Sequence, residues 1–203
     1  TNDLNALDMV SSTDGWAVGA SGKILRWNGT AWSQYADTGS QTWNSVYMLS
    51  STDGWLVGNG GLIYQWNGGG WASVGSPVSD NLLSVYFLSA SDGWAVGASG
   101  KILRYNGTVW SEYADAGTIQ LEKVHFSGSS FGYIVGAGGK IIRLNTSLAS
   151  WIVDNSPTTQ NLYTVELVST SDGWAMGANG TIIHLLGGST SGYVSPGTFL
   201  SSV

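Results

Sequence analysis

Asp14-Gly15-Trp16-Ala17-Val18-Gly19 decides the fold, because the chain says it again as Asp53-Gly54-Trp55-Leu56-Val57-Gly58, as Asp92-Gly93-Trp94-Ala95-Val96-Gly97 and as Asp172-Gly173-Trp174-Ala175-Met176-Gly177. An altered copy reads Phe131-Gly132-Tyr133-Ile134-Val135-Gly136. The first glycines stand at 15, 54, 93, 132 and 173, so the intervals are 39, 39, 39 and 41 residues. A fixed period of this size, filled with strand-like segments, marks a solenoid or a propeller.

Working outward from the hexapeptide, each repeat divides into four short strand signals separated by Asp, Asn, Ser and Gly. In the first they run over 4–11, 16–20, 23–28 and 31–36, with turns at Ser12-Thr13-Asp14-Gly15, Ser21-Gly22 and Asn28-Gly29-Thr30. Helical periodicity is absent. The expectation is an all-β, five-bladed β-propeller with four antiparallel strands per blade and about 39 residues per blade. The blades fall at 1–39, 40–78, 79–117, 118–158 and 159–203, forming a single closed domain. Residues 189–203 are either the last strand or a tail. Residues 20–39 and 98–117 agree at sixteen of twenty positions, the trace of a duplicated two-repeat block.

The order of an apolar strand, a Ser/Thr-x-Asp-Gly turn, Trp-Ala-Val-Gly, a Gly-x-Ile strand and a following Trp resembles the repeats of the photosystem II stability/assembly factor-like propellers, relatives of the Asp-box and sialidase-type blades. The resemblance covers residues 8–32 and their four counterparts. It implies the fold. The photosynthetic members, whose resemblance would imply assistance in pigment-protein assembly, have seven blades and a basic patch. This chain has five repeats and seven scattered bases, so that role is not carried over.

Composition narrows the partners. Only 10% of residues are charged, against about 25% in an average protein, so the surface is coated with neutral polar groups. Seven Lys and Arg against 13 Asp and Glu give a net charge of −6, which is wrong for nucleic acid. No apolar run approaches the roughly 18 residues that cross a bilayer. Cysteine is absent. An extracellular or cell-surface setting is expected.

Four sets of residues invite a functional reading. The repeated Asp14, Asp53, Asp92 and Asp172 supply one carboxylate per turn, too few for calcium, and are expected to brace the turns through nearby backbone N–H groups. Asn28, Asn106, Asn145 and Asn179 head glycosylation sequons, although Asn-Gly is also a good hairpin turn. All eleven Trp fall in repeat columns, as packing between sheets demands; the competing reading is a lectin with one aromatic platform per blade.

The fourth set lies in the first strand of each repeat. Between an apolar pair such as Leu7 and Met9, on the opposite face, stand Asp8, Tyr47, Tyr86, His125 and Glu166. If the first strands are innermost, these five form a polar ring at a central channel and a candidate ligand site. Asp8 and Glu166 in one pocket would suit a glycoside hydrolase. Phosphate loops, nucleophile elbows and metal-ligand spacings are missing, so no cofactor or metal is expected. The function expected is a non-catalytic surface module for protein binding or assembly, self or other, in a surface protein or filament. The alternatives are a glycan-binding propeller and, behind it, the hydrolase.

Overall fold

A computed structural model of the chain describes residues 3–128, 131–145 and 150–186. The chain separates into two compact units, residues 1–115 and 116–203. The first unit holds three four-stranded antiparallel sheets. These are β1 (Leu4–Ser11), β2 (Asp14–Gly19), β3 (Lys23–Trp27) and β4 (Trp32–Asp37); β5 (Trp43–Ser50), β6 (Asp53–Gly58), β7 (Ile63–Trp66) and β8 (Trp71–Val74); and β9 (Leu82–Ser89), β10 (Asp92–Gly97), β11 (Lys101–Tyr105) and β12 (Trp110–Asp115).

The second unit holds one four-stranded sheet, of β13 (Leu121–Phe126), β14 (Phe131–Gly136), β15 (Ile141–Asn145) and β16 (Ser150–Asp154). It also holds a sheet with three strands among the described residues, β17 (Leu162–Ser169), β18 (Asp172–Gly177) and β19 (Ile182–Leu186). The strand or tail expected at 189–203 lies outside the described residues. Each sheet is an up-and-down meander in chain order, as connections of a few residues require. All-β, propeller-like construction from short antiparallel sheets is therefore the observed fold.

The second strand begins two residues earlier than the turn reading placed it. Asp14 pairs with Ser11 across a two-residue turn, so Asp and Gly open β2 instead of closing the loop. The second glycine is demanded by a backbone contact, the first only by a movable side chain. A Cβ on Gly15 would run into the Met9 thioether, and one on Gly19 would collide with the backbone carbonyl of Asp3. The five residues after the opening Asp, or after Phe131 in β14, are buried in β2, β6, β10 and β14, which makes these strands the middle of the core.

Inside the first unit the sheets bury one another through a recurring set. Trp16, Val18 and Ile24 of one sheet pack with Trp43, Val46 and Leu56 of the next. Trp55, Val57 and Ile63 then do the same to Leu82, Val85 and Ala95, with the Trp55 ring stacked 5.0 Å from Phe87. The second unit repeats it with Tyr133, Val135 and Ile141 against Leu162, Val165 and Ala175. Most Trp columns are thus packing columns.

Two faces depart from the burial pattern of their repeats. On the first sheet Leu4, Leu7 and Met9 are exposed, Leu7 to 64%. On the last sheet Trp174 is 41% exposed, where its counterpart Trp55 is fully buried.

Candidate functional site

The first strand of each sheet is hydrogen-bonded on one side only, since the sheet orders begin with β1, β5, β9, β13 and β17. Its other edge presents backbone N–H and C=O groups that must find partners. The polar column supplies them one repeat further on. In the first unit the Asp8 carboxylate accepts the Met48 N–H at 2.6 Å, and Ser45 Oγ accepts the Val85 N–H at 3.3 Å. Asn5 Nδ2 donates to the Trp43 carbonyl and Asn44 Nδ2 to the Leu82 carbonyl, both at 2.8 Å. Tyr47 and Tyr86 meet ring to ring at 4.9 Å.

In the second unit the Leu167 N–H donates to His125 Nδ1 at 3.1 Å, while His125 Nε2 lies 3.2 Å from Glu166 Oε1. Nδ1 can accept only if it is unprotonated, so the ring is neutral with its proton on Nε2, facing the carboxylate. Burial pushes the His125 pKa down from 6.5; Glu166 opposes the shift and Lys123 adds to it. Burial also raises the Tyr47 phenol, with Tyr86 and Asp8 contributing in the same direction.

The five residues of the expected polar ring instead join neighbouring sheets inside each unit: Asp8, Tyr47 and Tyr86 in the first, His125 and Glu166 in the second. Asp8, Tyr47, Tyr86 and His125 are half-buried; Glu166 is exposed. Asp8 is engaged with Met48 and Glu166 with His125, so each carboxylate has local work of its own. Asn5 and Asn44 belong to the same device. Sequence reading passed over them, although Leu4-Asn5 and Trp43-Asn44 repeat at the 39-residue interval.

The recurrent Asp has a different partner from the one expected. The turn N–H groups are bound by serine: Thr13 N–H donates to Ser11 Oγ at 3.1 Å, and Ser50, Ser89 and Ser169 serve their turns likewise. Asp14 instead reaches across to β3 and pairs with Arg26 at 3.0 Å; Asp92 pairs with Arg104 at 3.1 Å. Asp53 accepts from Gln65 at 3.2 Å and Asp172 meets His184 at 2.6 Å. The clamped group then lies over the Trp of the same repeat, Arg26 at 5.0 Å from Trp16, Arg104 at 5.1 Å from Trp94, His184 stacked at 4.2 Å on Trp174. Where Phe131 replaces Asp, Arg143 turns to Asp154 at 3.0 Å. That bond raises the arginine pKa further.

Of the sequon residues, Asn28 and Asn106 use their side-chain carbonyls inside the hairpin turns, each accepting two backbone N–H groups at 2.9–3.0 Å. Asn179 has φ of 55° and donates to Gln160 at 2.7 Å. Asn145 ends β15; its side chain lies outside the described residues. Among the described residues no three His, Asp or Glu gather as a metal site would require.

No family model matches the chain, and no curated protein matches it. Solved structures do. A structure of YCF48 bound to D1 peptide is similar over 91% of the chain, with 17% identity and a TM-score of 0.71. U3-55K matches over 94% with 8% identity and a TM-score of 0.77, and the RRP9 WD40 repeats over 94% with 10% identity and a TM-score of 0.78. The chain spans 63%, 63% and 62% of those three structures respectively. At these identities the likeness is one of fold: the chain is built as these propellers are, and its resemblance to the photosystem II assembly-factor type holds at the level of the fold.

Proposed function

We propose that the five sheets are consecutive blades of one propeller and that it is a non-catalytic module for binding protein, working outside the cell or at its surface. One observation carries the non-catalytic part: the ionisable groups of the first strands are spent on holding blades together, Asp8 on the Met48 N–H and His125 on the Leu167 N–H. An acid-base pair needs groups free to reach a substrate proton. The protein-binding part draws support from the fold, which in YCF48 is seen with a bound peptide. The setting draws support from the uncharged polar composition.

A glycan platform in every blade would need aromatic rings exposed at equivalent points. Trp32 is 40% exposed, whereas Trp110 in the same column is buried, so the described rings favour protein over glycan. The test is a paired screen of the intact chain against a peptide library and a glycan array. Peptides with micromolar affinity, and a silent array at millimolar ligand, are the expected result. Glycan binding, or turnover of aryl glycosides abolished by Glu166→Gln, overturns the proposal.

A further inference from the structure

We propose that the face of the first sheet carrying Leu4, Leu7 and Met9 is a blade-receiving interface, and that its occupant is a further blade of this same repeat. The argument is a comparison of columns within the molecule. Leu7 corresponds to Val46 and Val85, one and two intervals on, which are 6% and 2% exposed. Leu4 corresponds to Trp43 and Leu82, both fully buried. What covers those positions is known: the Trp-Val-Ile set of the preceding sheet. The same apolar column that is a core elsewhere is surface here, and the surface that fits it elsewhere in the molecule is a blade of this pattern.

Polar features agree. Leu82 O accepts from Asn44 and the Val85 N–H donates to Ser45 of the preceding blade, and their equivalents on the first sheet are Leu4 O and Leu7 N, on the edge of β1 away from β2. Between them lies an open hollow of about 210 Å³, lined by Leu4, Asn5, Ala6, Leu7 and Ala17. The chain spans only 62–63% of the matched propellers, so their fold has room for such blades. The rival occupant is a second copy of the chain, whose last sheet exposes Trp174 and Met176 in the covering column.

Methionine oxidation separates these cases, because the chain has three methionines, Met9 and Met176 exposed and Met48, in the column of Met9, partly buried against the core. The chain as it stands is compared with one in which a copy of residues 40–78 is placed directly before Thr1, which keeps the 39-residue interval. Under mild peroxide, mass spectrometry is expected to show Met9 and Met176 oxidised and Met48 protected in the shorter protein. In the longer one Met9 becomes protected at least ten-fold, Met176 stays reactive, and the midpoint of thermal unfolding rises by about 5 °C or more. Leu7→Ser is expected to lower the midpoint of the longer protein by several degrees and leave the shorter one unchanged.

Met9 equally reactive in both proteins overturns the proposal. So does an equal effect of Leu7→Ser in the two. A concentration-dependent oligomer of the shorter chain, with Met9 and Met176 both protected and released together by Trp174→Asp, overturns it in favour of a second copy.

Discussion

At the scale of single residues, the chemistry is decided by which backbone group a side chain meets. His125 is the clearest case. Its folded pKa is lowered, chiefly by burial, so between that value and 6.5 the unfolded chain binds the proton that the folded chain refuses. Stability therefore rises with pH across that window and is lost as pH falls below about 6.5. Urea midpoints measured from pH 7.5 to 5 are expected to fall for the native protein, and the part of the slope owed to this ring should vanish in His125→Gln. Asp8→Ala leaves the Met48 N–H unanswered and is expected to cost about 1–3 kcal/mol by urea unfolding at pH 7, with Asp8→Asn recovering part of it through its amide oxygen. Ser99 holds φ at 54°, where the parallel repeats use Gly60 and Gly138, so Ser99→Gly is expected to stabilise by about 0.5–1 kcal/mol in the same assay.

At the scale of the strand, two constraints explain the hexapeptide. Its apolar centre is buried because β2, β6 and β10 each have a strand on either side, and β6 also lies in a sheet packed on both faces. Its last glycine exists because the neighbouring backbone passes too close for any side chain. Gly97→Ala would drive a Cβ into the Asn81 carbonyl and is expected to destabilise by about 1–3 kcal/mol, read from the shift in denaturation midpoint. Much of this level was legible in advance. The four-strand plan of the first four sheets, the Asn-Gly turns and the Trp-rich columns follow from a period of two within strands and from where Asn and Gly stand. The role of the recurrent Asp was not, because its partner lies twelve residues away on β3 and period and composition say nothing about which side of the strand answers it.

For the whole molecule, charge and coverage decide behaviour. Arg26, Lys101, Arg104 and Arg143 are each held by a carboxylate, and the net charge is −6, so the protein is expected to pass a heparin or DNA column unretained at low salt. Retention would mean that bases assemble into a patch despite those pairs. Hydrogen exchange is expected to rank strands by coverage, with β6 and β10 slowest in the first unit and β1 fastest among its first strands, since one side of β1 faces solvent.

By itself the sequence determined the repeat, its interval, the four-strand plan and the apolar columns, because those depend on interactions among residues close along the chain. The tertiary structure alone decided that the polar column of Asp8 and His125 is a set of clasps, and that Leu7 lies open while Val46 and Val85 are buried. Those outcomes rest on contacts one whole repeat away, where identical local patterns meet different neighbours.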